Sequence, residues 1–170
     1  TQQKPEKEMK QFFFVFLILC FFSSCGENTV VFNETRALDG FWGSEEELVF
    51  DLPPLDSLKT YNLFFNIRNT NDYPFNNMYL IATINFPHGK TVVDTLEYRM
   101  AYPDGSWMGS GIGSIRDNKL WYKENVRFTE EGVYKVSLRQ AMRNNGEVEG
   151  VKKLDGIVDV GVTIEENLNH

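Results

Sequence analysis

The sequence predicts an all-β fold, an antiparallel β-sandwich of about eight strands, and three observations carry that prediction. Apolar and polar residues alternate with period two in one segment after another, the pattern of a strand with one buried face. Turn-forming residues separate these segments at short intervals. Long stretches with apolar residues at helical spacing are missing.

The elements follow in order. Residues 29–32 form a short first strand, and 48–52 a second in which Leu48, Phe50 and Leu52 share a face. In 61–68, Tyr61, Leu63, Phe65 and Ile67 alternate with Asn62, Phe64, Asn66 and Arg68. In 78–86, Met78, Leu80, Ala82, Ile84 and Phe86 alternate with Tyr79, Ile81, Thr83 and Asn85. Strands at 92–100, 120–128, 133–139 and 157–164 complete the set; in the last, Val158, Val160, Val162 and Ile164 are expected on one face. Pro53-Pro54, His88-Gly89, Asp104-Gly105, Asp117-Asn118, Glu131-Gly132 and the stretch 144–146 supply the turns. Residues 138–143 are expected to close as a single helical turn. One domain, 30–166, with a tail at 167–170, accounts for the pattern.

Ahead of this domain lies a different kind of segment. Residues 12–22 are an eleven-residue apolar run containing six Phe, followed by Ser23, Ser24, Cys25 and Gly26. As a helix the run would rise roughly 16 Å, too little for a hydrocarbon core of about 30 Å, but it suits the apolar part of a signal peptide. Lys10 follows Met9 and provides a positive flank, so Met9 is the expected start. The layout is that of a bacterial lipoprotein signal peptide spanning 1–24, with Cys25 the acylated first residue and 25–29 a lipidated tether. Phe22 departs from the Leu more usual before such a cleavage site. Several acyl chains, each contributing about 0.8 kcal/mol per buried methylene, would hold the protein on a membrane. Gly26, Glu27 and Asn28 include no long acidic run that would mark export to the cell surface, which favours an outer-membrane position facing the periplasm.

Charge and cysteine content restrict the function classes. The chain carries a net charge of −7, and loss of residues 1–24 removes three Lys and two Glu, giving −8. An acidic domain without a Lys/Arg cluster is poorly suited to nucleic acid, and anionic headgroups would repel it. Cys20 and Cys25 are the two cysteines, so the domain has no thiol for a disulfide or a metal site. The two histidines are His88 and the C-terminal His170, which excludes a site built on several imidazoles, and His88 reads as part of a hairpin turn. No metal or other cofactor is expected.

The remaining chemistry-bearing patterns are weak. Gly105, Gly109, Gly111 and Gly113 crowd one stretch, but a phosphate loop would open a helix, whereas this one leads into a strand. Asp104, Gly105, Trp107 and Gly109 instead mark a binding or structural loop around Trp107. A buried plug is favoured over an exposed platform, and both remain open. Asp94 and Glu97 are a conceivable carboxylate pair, but three residues apart along a strand they point to opposite faces; Asp51 with Asp104 is a long-range alternative. Trp42, Trp107 and Trp121 with the neighbouring tyrosines could stack on sugars, although packing in an aromatic core is the favoured use. No catalytic set emerges, so a non-enzymatic protein is expected, with a glycan-binding lipoprotein that uses exposed tryptophans as the alternative.

Several segments taken together resemble the GldH family of gliding-motility lipoproteins. They are Phe65-Asn-Ile-Arg-Asn69 running into Tyr73-Pro-Phe-Asn-Asn77, then Asp94-Thr-Leu96, then Asp104-Gly-Ser-Trp-Met-Gly109 with Gly111. Gln140-Ala-Met-Arg143 and Leu154-Asp-Gly-Ile-Val-Asp-Val-Gly161, ending in Ile164-Glu165, continue the same order. The resemblance implies an envelope lipoprotein needed for movement over surfaces, with other gliding-motility envelope proteins as partners, close to the secretion system that exports surface adhesins. It transfers a role to Cys25 alone, as the lipidation site.

Overall fold

A computed structural model describes residues 29–168, so the leader, Cys25, most of the tether and His170 lie outside the described residues. The described chain is all β. Its strands are β1 (Thr29–Ala37), β2 (Phe41–Gly43), β3 (Leu48–Asp51), β4 (Tyr61–Asn69), β5 (Asn77–Asn85), β6 (Thr91–Arg99), β7 (Arg116–Val126), β8 (Lys135–Gln140), β9 (Lys153–Asp155) and β10 (Ile157–Glu166). Two four-stranded antiparallel sheets, β1-β10-β4-β7 and β3-β8-β5-β6, form the sandwich, and β2-β9 is a small separate ribbon.

Alternation decides which side chains meet between the sheets. Leu63, Phe65 and Ile67 of β4 and Val160, Val162 and Ile164 of β10 are buried from one side. Met78, Leu80, Ala82 and Ile84 of β5, Val136 and Leu138 of β8, and Leu48 and Phe50 of β3 are buried from the other. Trp42 of β2, 0% exposed, extends this core, and its indole N–H donates to the Glu46 carbonyl at 3.0 Å.

All eight expected strands are present, with three local differences. Asp117 and Asn118 are not a turn but the start of β7, in register with Arg68 and Ile67. An ion pair between Arg68 and Asp117 and a buried Asn118 amide that donates to the Ile67 carbonyl and to Asn69 Oδ1 draw them into the sheet. The helical turn expected at 138–143 does not form: β8 pairs with β5 up to Gln140, and Arg143 bridges to Gly150. Ladder hydrogen bonds to a neighbouring strand outweigh one unsupported helical turn there. Finally, a register shift between Ile157 and Asp159 leaves Val158 only partly buried and puts Ile157 in the core. A bulge of this kind adds a residue and so breaks strict alternation.

The strands have a common orientation that matters below. Thr29, Tyr61, Val126 and Glu166 lie at one end of their sheet; Ala37, Asn69, Arg116 and Ile157 lie at the other. Nine residues of β1 separate the ends by about 30 Å. The His88-Gly89 turn joins β5 and β6 at the Thr29 end, whereas residues 100–115, which cross from β6 to β7, lie at the far end.

Removing the ring of Phe65, which is fully buried and stacks on Tyr122, is expected to cost about 3–5 kcal/mol. The midpoint of urea unfolding of Phe65→Ala measures this, and a loss under 1 kcal/mol, roughly that of a surface change, would contradict the core assignment.

Candidate functional site

The crossover at residues 100–115 contains the loop residues singled out above. Asp104 accepts from the backbone N–H and the hydroxyl of Ser106, at 2.9 and 2.6 Å, and these bonds hold its carboxylate below the usual range. Gly105 follows with φ +85°, a conformation that side chains with a Cβ rarely adopt. Gly109 serves another purpose: a Cβ there would stand 2.5 Å from Asn118 Oδ1, so its absence lets the loop pack against β7. Backbone bonds from Met108 N–H to the Met100 carbonyl, and between Ser110 and Asp117 in both directions, tie the loop to both flanking strands.

Trp107 is half-buried. Its indole N–H donates to Asn71 Oδ1 at 3.1 Å, and its ring lies 6.1 Å from that of Tyr73, a buried core residue. Asp104, Gly105, Gly109 and Trp107 thus share one loop but do not converge on a common ligand position. Among the loop's exposed residues, Ile112 is 96% exposed between two glycines, with Met108 and Ile115 also exposed alongside exposed Asp104, Ser106, Ser110 and Ser114.

The tryptophans have three different settings. Trp42 is core, Trp107 is half-buried, and Trp121 is 51% exposed on the outer face of its sheet. Trp121 leans on Phe64 with 4.3 Å between ring centroids. Phe64, although on the outer face, is buried beneath Trp121 and the Lys119 ammonium. Period-two reading identifies which residues face outward, but it does not distinguish an outward ring that is covered from one that is open.

The carboxylates conceivable as a pair do not meet. Asp94 faces the opposite sheet, and Glu97 lies on the outer side of β6, bonded to Asn77. Asp51 lies beside Lys135 at the Thr29 end, and Asp104 is in the far-end loop. His88 sits in the β5–β6 hairpin, its backbone N–H bonded to Glu130. Among the described residues no three His, Cys, Asp or Glu side chains form a metal-binding group.

Asp94 has a clear role where edge strands β6 and β7 face one another. The Tyr122 hydroxyl donates to it at 2.8 Å and the Lys123 ammonium pairs with it at 2.8 Å. Two consecutive residues reach one carboxylate because β7 shifts register between the partners of Leu63 and Phe64, and a bulge brings neighbouring side chains towards the same side. The Lys123 contact chiefly, then the Tyr122 hydroxyl, holds Asp94 below its ordinary pKa against the opposing effect of partial burial. Nearby, the Tyr98 hydroxyl donates to the Trp121 carbonyl at 2.7 Å, and burial pushes its pKa up to about 12.

These features define an all-β sandwich domain whose distinguishing residues lie in a far-end loop and on one sheet face. The family model for the GldH lipoprotein matches residues 30–164, and the chain belongs to that family. It is 49% identical over 158 residues to the gliding motility lipoprotein GldH homolog of Christiangramia forsetii, covering 93% of this chain and 96% of that one. It is 50% identical over 143 residues to the gliding motility lipoprotein GldH of Flavobacterium johnsoniae, covering 84% and 88%. Among solved structures, the GH115 4-O-methyl-α-glucuronidase BtGH115A overlays with a TM-score of 0.37 at 12% identity, covering 84% of this chain and 18% of that one. The VP2 subviral particle of infectious bursal disease virus overlays with a TM-score of 0.30 at 14% identity, covering 82% and 31%.

A folded-state pKa below the unfolded value means that the Asp94 contacts stabilise the fold above about pH 4 and lose that contribution as pH falls through the lowered value. Asp94→Asn should therefore be less stable at neutral pH and lose less on acidification from about pH 5 to pH 2. Urea midpoints across that range, identical in slope for both proteins, would rule this out.

Proposed function

We propose that the protein is a non-enzymatic contact component of the gliding-motility apparatus. Acyl chains on Cys25 hold it at the outer membrane facing the periplasm, and the end of the sandwich carrying residues 100–115 meets other envelope proteins of that apparatus. The relatives' names and the Cys25 motif support the setting.

One observation carries the contact reading: the strand directions separate the two ends. Thr29 lies four residues after Cys25, a span of at most about 14 Å of chain, so the Thr29 end is the membrane-proximal one. The loop with Ile112 lies at the opposite end, about 30 Å further along the strands. An apolar side chain that is almost fully exposed at the end remote from the anchor suits contact with a protein rather than insertion into the anchoring bilayer.

A photo-crosslinking amino acid at position 112 is expected to capture a gliding-motility envelope protein in living cells, whereas the same probe at Leu58, exposed near the membrane-proximal end, is not. Capture from position 58 alone would overturn the orientation. Cys25→Ser should abolish incorporation of labelled palmitate and leave an unprocessed precursor; continued labelling would refute the anchor. Cells lacking the gene should not spread over surfaces, and normal spreading would refute the motility role.

A further inference from the structure

The outer face of the β1-β10-β4-β7 sheet contains a groove of about 290 Å³, lined by Asn33, Thr35, Asn66, Arg68, Lys119 and Asp159 among others. Register explains its shape. One row across the four strands is Thr35, Gly161, Asn66 and Lys119, and the next on the same face is Asn33, Thr163, Phe64 and Trp121. The groove takes Thr35, Asn66 and Lys119 of the first row into its lining, and Gly161 contributes no side chain to the middle of that row. A Cβ there would come within 2.7 Å of the Glu34 carbonyl oxygen and 2.8 Å of Thr35 Oγ1, so the close approach of β1 keeps the position empty.

The groove's charges are already matched. Arg68 pairs with Asp117 at 2.6 Å and Asp159 at 3.0 Å, and Lys119 pairs with Glu165. A charged ligand would compete with these cross-strand pairs, so charge is not what the groove selects. It offers uncharged hydrogen-bonding groups instead: Asn33 and Thr35 are exposed, and Asn66 donates to Thr163 Oγ1 and keeps its carbonyl oxygen as an acceptor. Trp121, braced on one side by Phe64 and half open to solvent, stands on the next strand from Asn66 and one row along, and about 14 Å across the sheet from Asn33 and Thr35 on the opposite edge strand.

A braced, open indole on the same sheet face as neutral amides and hydroxyls suits a chain of sugar rings, each of which presents an apolar C–H face and a rim of hydroxyls. We propose that this face binds an uncharged pyranose polymer, with Trp121 stacked on one sugar and Asn33, Thr35 and Asn66 bonded to hydroxyls in the groove. The inference goes beyond the contact role proposed above and rests on different residues, on the outer face of the sheet, where the groove reaches the far-end loop at Ser110.

The test uses the full lipidated chain in a zwitterionic detergent, probed with an array of neutral hexasaccharides of glucose, mannose, galactose and N-acetylglucosamine, and with oligogalacturonate. At least one neutral oligosaccharide should bind, more tightly than the acidic one. Trp121→Ala should weaken it roughly fivefold to tenfold, the worth of one aromatic contact, and Trp107→Ala should not. Thr35→Arg, a surface change that crowds the hollow without touching the core, should abolish binding and keeps the test valid should Trp121→Ala unfold. Absence of binding to every neutral oligosaccharide, preference for oligogalacturonate, or full binding by Thr35→Arg would overturn the proposal. So would a blank array together with capture of an envelope protein by a crosslinker at position 121, which would make the face a protein interface.

Discussion

Phe65, at the centre of β4, stacks on Tyr122 of the edge strand β7, and Tyr122 in turn donates to Asp94 on the facing edge strand β6. This chain of contacts joins the core to one open side of the sandwich and fixes how the two sheets lie on each other. On the opposite side Arg36 does comparable work, reaching from β1 to the Val49 carbonyl and over the Phe50 ring. Hydrophobic burial brings the sheets together, but it is not directional. The hydrogen bonds and ion pair at the edges supply the direction. With both sides closed in this way, the ends of the sandwich and its outer faces are what remain for contact with other molecules.

The two proposed surfaces follow from that division. Residues 100–115 must cross from one edge strand to the other, and glycines let the crossover pack tightly enough to project Ile112 outward. On the outer face of the β1-β10-β4-β7 sheet, polar residues pair across strands and cancel their charges, so the aromatic pair Phe64–Trp121 is what distinguishes that face.

The strands were legible because their residues state a period. Leu63, Phe65 and Ile67, or Leu80, Ala82 and Ile84, can be buried together only as alternate residues of a strand. What escaped this reading were elements made by partners distant in sequence. The three-residue strands β2 and β9 are too short to show a period and exist because they pair with each other. Asp117 and Asn118 have turn chemistry, yet Arg68 and the Ile67 carbonyl recruit them into β7. Gln140 ends a strand rather than sitting in a helical turn because β5 lies alongside it. The sugar-stacking reading, open in the sequence to Trp42, Trp107 and Trp121 alike, narrows to Trp121 for the same reason, since burial of a ring depends on what packs over it.

By itself, then, the sequence determined an all-β sandwich and its membership of a lipoprotein family. These rest on local patterns: alternation, turn residues and a series of ordered motifs. Tertiary structure alone decided that Asp94 meets Tyr122 and Lys123 of the facing sheet, that Ile112 is remote from Thr29, and that Gly161 and Trp121 lie in neighbouring rows of one face. Each of these is a relation between residues far apart in the chain, fixed by strand register, which a one-residue slip would reverse.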